Sequence, residues 1–183
     1  MNYLLQHITA KKLILAALVL SVSFLFLNAL HHPISILTIK KISGGRTILN
    51  LLPFYNATSG YEYLESYTSE AVAIYRRILI FDLIILIPAY IVFSILGLGY
   101  YGKRVLHNKK LILSGVLVLP IVAALLNLTE DAIVWFLLHS LPIHFDNLMT
   151  ISGIATTIKL IIFIICLTLM VVFFVLSLCK SRN

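Results

Sequence analysis

Long apolar stretches alternate with short polar ones along this chain, and four of the apolar stretches are long enough to cross a membrane. They cover residues 13–30, 78–98, 111–139 and 151–178. A bilayer core about 30 Å thick requires about 20 apolar residues in helical conformation. The pattern therefore predicts an all-α membrane protein whose four transmembrane helices form a bundle, with residues 1–183 as a single integral membrane domain.

The first apolar stretch follows Lys11 and Lys12, an arrangement that is also typical of a secretory signal peptide. Its apolar run is long, however, and the best cleavage position, after Ala29, has Leu27 where a small residue is expected. We therefore interpret this stretch as an uncleaved first span. Pro88 and Pro120 lie inside the second and third spans, where they predict kinks.

The largest connection, residues 31–77, is expected to form an outer cap on the bundle. Two β-branched runs flank Gly44 and Gly45, which predicts either a short hairpin or an irregular segment on the membrane surface. Ser59 and Glu62 have the spacing of a capping box. The apolar positions that follow recur at helical spacing, so we predict an amphipathic helix over residues 60–77 that can continue into the second span.

Composition and charge support a membrane location. The chain is 61% hydrophobic and 11% charged, whereas soluble domains carry about 25% charged residues. The net charge is +7, but the basic residues flank the apolar stretches and form no basic domain, so no nucleic acid partner is predicted. The expected partner is the lipid bilayer itself, together with a lipid or a membrane protein.

Lysine and arginine in short flanks set membrane orientation. They occur before the first span, between the second and third, and after the fourth, whereas the third connection has none. The basic residues of the connection 31–77 weaken this bias. We predict a multi-pass plasma membrane protein with cytoplasmic N- and C-termini. The residues that carry this prediction are Lys11, Lys12, Lys103, Arg104, Lys109, Lys110, Lys180 and Arg182.

Four ionisable residues lie well inside the last three apolar stretches, although each charge costs at least about 2.5 kcal/mol at a helix centre. Asp82 lies 21 residues before Lys103, Glu130 lies 20 after Lys110, and Lys159 lies 21 before Lys180. At about 1.5 Å per residue these charges share one depth, roughly 30 Å from the inner boundary. They either form a cluster inside the bundle or reach the interface individually by snorkelling.

Polar neighbours on the same helix faces favour the cluster, and a short Asp side chain cannot snorkel as Lys can. The predicted cluster comprises Asp82, Asn127, Glu130, Asp131, Thr156 and Lys159, and Asn28 and Tyr90 are candidates for a pocket. Such a cluster either fixes helix register or supplies a carboxyl group as general acid, proton carrier or cation ligand.

No cofactor or metal site is predicted. His31, His32, His139 and His144 are expected on the outer side near Asp146, but they lack standard zinc spacing. Cys166 and Cys179 lie in or at the end of the last apolar stretch and are expected to pack as small apolar residues, without a disulfide.

Several short stretches resemble a loose group of small, uncharacterised bacterial four-span membrane proteins. The resemblance covers roughly residues 49–167 and implies a bacterial plasma membrane and the same charged residues, but no activity. The stretches that carry it are Leu51-Leu52-Pro53-Phe54-Tyr55, Tyr75 with Asp82 and Pro88-Ala89-Tyr90, Leu128-Thr129-Glu130-Asp131, and Thr156-Thr157-Ile158-Lys159.

The function favoured by the sequence is non-enzymatic: a binding, assembly or small-solute module of the plasma membrane. One alternative is a membrane enzyme acting on a lipid or polyisoprenoid headgroup at the outer leaflet. Asp82, Glu130 and Asp131 would then be its acid and base groups, and which of them has which catalytic role is left open. Another is a proton- or ion-coupled carrier, which requires a polar path that reaches Tyr90 and continues below it.

Overall fold

The computed structural model describes residues 7–29, 32–106 and 109–180, and within those ranges the chain is helical and forms no strand. Four helices are long and apolar enough to cross a membrane, which confirms the prediction of an all-α chain with four candidate spans. The elements are α1 (Ala10–Ala29), α2 (Ile36–Ile42), a 3₁₀ turn (Leu49–Leu51), α3 (Ala57–Glu65), α4 (Ser69–Phe81), a π-helical turn (Asp82–Leu86), α5 (Ile87–Val105), α6 (Lys110–Ser140) and α7 (Asp146–Lys180).

The long helices leave much of their apolar surface uncovered. Large side chains such as Ile14, Leu111 and Val171 are 67%, 86% and 61% exposed. Continuous apolar surface of this kind is too extensive for a soluble monomer, whereas it suits helices whose surroundings are lipid. The multi-pass membrane character predicted from composition therefore agrees with where the apolar side chains lie.

Helices α6 and α7 pack along one another, and α5 packs against both. Small residues permit the close approach, because a Cβ at Gly97 would meet Met170 and one at Gly102 would meet Leu113. Leu98, Cys166, Met170 and Phe173 form a buried apolar cluster in this half of the molecule. Helix α1 is more peripheral: it packs against α5 and the π turn and makes little contact with α6 or α7.

The ends of three long helices meet at one end of the molecule, which is the pole nearest to this apolar cluster. The Lys103 ammonium donates to the Ile8 carbonyl oxygen at 2.9 Å. The Lys180 ammonium donates to the Arg104 carbonyl oxygen at 3.3 Å. The start of α1, the end of α5 and the end of α7 therefore lie together, as the charge pattern predicts for flanks on one side of a membrane.

Two alternatives were predicted for the start of the connection, a hairpin and an irregular segment. The hairpin is wrong, and the irregular segment is wrong for residues 36–42, which fold as helix α2. The Ser35 hydroxyl caps it by accepting a hydrogen bond from the Thr38 N–H at 3.1 Å. Gly44 and Gly45 end it with φ angles of +62° and +90°, and the Gly45 N–H donates to the Lys40 carbonyl at 2.7 Å. A glycine pair occurs at helix ends as well as in hairpin turns, so it does not distinguish the two structures. Here the Ser35 cap is the feature that indicates a helix.

The single amphipathic helix predicted over residues 60–77 is two helices, α3 and α4. The Asn56 side chain is the cap of α3 and accepts from the Ser59 N–H at 3.0 Å, so Ser59 is the third residue of the helix and not its cap. The Thr68 hydroxyl caps α4 by accepting from the Ala71 N–H at 3.2 Å. Apolar spacing alone missed this break, because the periodic residues on both sides of it are buried.

Helix α4 continues through the π turn into α5, so the second long helix runs from Ser69 to Val105. Pro88 explains the π turn: a proline ring conflicts with the carbonyl four residues earlier and offers no N–H. Within the π turn the Ile87 N–H donates to the Asp82 carbonyl, five residues back. The irregularity predicted at Pro88 is thus a widened turn, whereas α6 stays helical through Pro120.

The connection between α1 and α4 packs onto one end of the long helices. Its buried side chains, among them Ile39, Leu49, Tyr55 and Leu64, join a single apolar cluster with residues from α4, α6 and α7. At Gly153 of α7 the backbone carbonyl oxygen of Tyr55 lies only 2.0 Å from where a Cβ would stand. Glycine at this position therefore allows the connection to lie against α7, directly beside the charged residues.

Candidate functional site

Lys159 of α7 and Glu130 of α6 form a buried ion pair. Glu130 is fully buried and Lys159 is 9% exposed, and the Lys159 ammonium contacts Glu130 Oε2. The other carboxylate oxygen, Oε1, accepts a hydrogen bond from the Thr156 hydroxyl at 2.6 Å. Because few water molecules can reach this pair, each charge depends on the other for its stabilisation.

Asn127 joins this ion pair to Asp82 on the second long helix. Its side-chain oxygen accepts a hydrogen bond from the Lys159 ammonium, and its amide nitrogen donates to Asp82 Oδ2 at 2.9 Å. Lys159 therefore contacts Glu130 directly, and Asn127 bridges it to Asp82 by hydrogen bonds. The snorkelling alternative does not describe Lys159, whose ammonium ends among buried polar groups.

Asp131 is held by a second polar chain that starts in the connection. The Asn50 side-chain nitrogen donates to Asp131 Oδ1 at 2.7 Å, and the Tyr75 hydroxyl donates to Asn50 Oδ1 at 2.6 Å. The Tyr75 oxygen in turn accepts from the Leu49 N–H at 3.0 Å. Asp131 Oδ2 is buried and has no hydrogen-bond partner among the described residues.

Tyr55 completes the cluster from the opposite direction. Its hydroxyl lies 2.7 Å from the Ser152 hydroxyl and 3.3 Å from that of Thr156. Burial raises the pKa of Tyr55 well above its usual range, and the nearby Glu130 carboxyl group adds to this effect. The phenol therefore stays neutral and serves as a hydrogen-bonding group beside the ion pair.

The structure thus brings together all six residues of the predicted cluster. It adds four that sequence reasoning did not select, namely Asn50, Tyr55, Tyr75 and Ser152. Tyr55 and Tyr75 lie in the stretches that carry the resemblance to bacterial four-span proteins, which is the one sequence signal that points to them. Ser152 shares a helix face with Thr156 and Lys159, which is a sequence signal of its own. Asn50 has no such signal, because its role depends on a contact between distant parts of the chain.

A cavity of about 190 Å³ lies beside the cluster, between α1 and the other three long helices. Its walls are mainly apolar, with Phe24 and Leu27 from α1, Leu86 from the π turn and Phe163 from α7. Both residues predicted to line a pocket, Asn28 and Tyr90, contribute to it. Its polar lining consists of Asn28, Asn50, Asp82, Tyr90, Asn127 and Lys159.

The cavity ends toward the pole where the helix ends meet. Tyr90 and Phe163 stand edge to face with ring centroids 6.1 Å apart. Beyond them Met170 packs against Gly97, within the apolar cluster that also contains Leu98 and Phe173. Polar groups therefore concentrate at one end of the cavity, and packed apolar side chains close the other.

The histidines considered for a metal site do not converge. Nε2 of His144 lies 2.6 Å from Glu65 Oε1, and its ring stacks on Tyr61 at 3.9 Å. His32 contacts the Phe26 carbonyl and His139 the Trp135 carbonyl, while His31 lies outside the described residues. In the described ranges, no three His, Cys, Asp or Glu side chains are placed to hold a metal ion.

Comparisons with models of protein families, with curated proteins and with solved structures find no match for this chain.

Proposed function

We propose that this protein is a plasma membrane binding module that holds a small amphipathic molecule within its helix bundle. The observation that carries the proposal is the cavity beside the buried cluster, which combines apolar walls with polar side chains gathered around Asp82 and Asn127. Small-molecule sites in proteins have this composition: an apolar lining with a few polar groups that fix orientation.

In this proposal the chain crosses the membrane four times as a helix bundle, with both termini in the cytoplasm. The connection between α1 and α4, which includes α2 and α3, then forms a cap on the outer side. The basic flanks at the pole where Lys103 and Lys180 lie support this orientation. The cluster and cavity would then lie in the outer half of the membrane.

The enzyme alternative receives less support from the geometry. Of the three acidic residues considered as acid and base groups, only Asp82 lines the cavity. Glu130 is held by Lys159 and Thr156, and Asp131 is held by Asn50. A paired acid and base facing one substrate position is the arrangement that such catalysis requires, and these contacts do not provide it.

The carrier alternative requires a polar path through the bundle. The polar lining reaches Tyr90, but Leu98, Cys166, Met170 and Phe173 pack as an apolar cluster on the far side. A closed apolar layer supports binding at one end of the bundle rather than passage through it.

The proposal is tested by binding of the neutral probe 4-phenylbutanol to the purified protein in a maltoside detergent. We expect saturable stabilisation, about 3 to 6 °C in melting temperature at ten times the Kd. Leu160→Trp should abolish it, because Leu160 lines the cavity. Ile164→Trp, one turn further along α7 on a side chain that is 61% exposed, is the matched control and should retain it. Equal stabilisation of both variants would refute a binding site in the cavity.

A further inference from the structure

The charges around the cavity do not balance. Asp82, Glu130 and Asp131 are acidic, and Lys159 is the one basic side chain that contacts this cluster in the described part of the chain. Its ammonium is already committed to Glu130 and Asn127. Asp82 accepts a hydrogen bond from Asn127 but has no ion-pair partner among the described residues.

Asp131 and Asp82 lie close enough for their carboxyl groups to interact. Asp131 is 6% exposed and receives its hydrogen bond from a neutral amide, that of Asn50. Carboxylates in apolar surroundings are stabilised by a positive charge nearby. The cavity therefore favours a cationic ligand group over an anionic one.

The walls of the cavity fit the rest of such a ligand. Phe24, Tyr90 and Phe163 place aromatic rings along it, and ring faces attract cations as well as apolar groups. An apolar cavity of about 150 Å³ holds a benzene molecule, so about 190 Å³ admits a group of ring size together with a small polar head. A bare metal ion fits less well, since hard cations require about six oxygen ligands and most of this lining is apolar.

We propose that the cavity binds amphiphilic amines, with the protonated amine paired to Asp82 and the apolar body between α1 and α7. This inference rests on the proposed binding function and specifies its ligand class. An anionic ligand would need the Lys159 ammonium, which would have to leave Glu130 unpaired in a buried position. An amine instead supplies the positive charge that the cluster lacks.

Three probes that share one apolar body separate charge from shape: 4-phenylbutylamine, 4-phenylbutanol and 4-phenylbutyrate. Binding is measured calorimetrically in maltoside detergent, with the cavity-filled Leu160→Trp variant as the baseline for partition into micelles. We expect the amine to bind at least tenfold more tightly than the alcohol and the carboxylate to bind most weakly. Asp82→Asn should remove the advantage of the amine over the alcohol. Glu70→Gln makes the same chemical change on an exposed side chain and should alter neither.

The outcomes separate the two proposals. Equal binding of amine and alcohol by the unaltered protein, abolished by Leu160→Trp, would keep the binding function and overturn the amine preference. An amine preference that survives Asp82→Asn would also overturn it. Binding of none of the three probes would overturn both proposals. The ranking in the unaltered protein needs no variant, so a folding defect of Asp82→Asn cannot hide the answer.

Discussion

At the residue scale, Lys159 illustrates what depth along a span can and cannot predict. Counting residues from the basic flanks placed Asp82, Glu130 and Lys159 at one level, and the structure brings these three residues together. Counting did not identify the ion-pair partner, because partner choice depends on how α6 and α7 are rotated about their axes. That rotation is set by side-chain packing across the whole interface.

Two of the residues that sequence reasoning missed, Asn50 and Tyr55, belong to the connection. Asn50 forms a hydrogen bond with Asp131, 81 residues further along the chain. Tyr55 forms one with Ser152, 97 residues further on. Neither contact leaves a local pattern of spacing or periodicity. An isolated polar residue in an apolar stretch is conspicuous, whereas Asn or Tyr in a mixed loop is ordinary until the fold is known.

Replacement of Lys159 tests the pairing directly. Lys159→Met removes the positive charge and leaves Glu130 buried without its partner, which costs about 3 to 5 kcal/mol for a buried pair. Glu130→Gln combined with Lys159→Met should recover part of this loss, because no charge is then stranded. The measurement is a double-mutant cycle on unfolding free energy in detergent.

Asp82 provides the matched control for that cycle, since Asn127 separates it from Lys159. The Lys159 and Asp82 substitutions should couple more weakly than the Lys159 and Glu130 substitutions. Additivity within about 0.5 kcal/mol for the Glu130 pair would show that the buried ion pair contributes no specific stabilisation. Stronger coupling to Asp82 would instead reassign the partner.

At the element scale, the long helices and the helical character of residues 60–77 were predictable, whereas α2 and the break between α3 and α4 were not. A span requires about 20 apolar residues, so its signal is long and redundant. Helix α2 and the break between α3 and α4 depend on single capping residues, Ser35 and Thr68, within segments whose apolar pattern permits more than one structure. The π turn at Asp82–Leu86 likewise follows from one proline.

The close approach of the connection to α7 is tested at Gly153. An alanine Cβ there would lie 2.0 Å from the Tyr55 carbonyl oxygen, so the backbone around Tyr55 must move. Overpacking of this kind typically costs about 1 to 3 kcal/mol, and Gly153→Ala should lower the melting temperature in detergent accordingly.

Gly115→Ala makes the same change in α6, where nothing lies within 4 Å of the added Cβ. It should be neutral or stabilise the helix by up to about 1 kcal/mol, because alanine favours helices over glycine. If both variants melt at the same temperature as the unaltered protein, the connection does not lie against α7 as described.

At the scale of the whole molecule, hydropathy indicated four candidate spans but not how they are arranged. Every span has the same apolar character, so nothing in its composition shows that α1 packs on α5 and leaves a cavity toward α7. Orientation is the opposite case. The sequence itself predicts it, from lysine and arginine in the flanks, and the predicted orientation places the cavity toward the outer leaflet.

Thiol labelling with an impermeant reagent on intact cells tests this orientation. Cys179 is exposed at the end of α7, and Cys166 is buried, so the unaltered chain carries its own reporter for the predicted cytoplasmic pole. We expect Cys179 to react only after the cells are permeabilised. In a Cys179→Ser background, Glu62→Cys places a thiol at an exposed position of α3. It should react in intact cells, because the predicted orientation places α3 outside. The reverse pattern would invert the topology and place the cavity beside the inner leaflet.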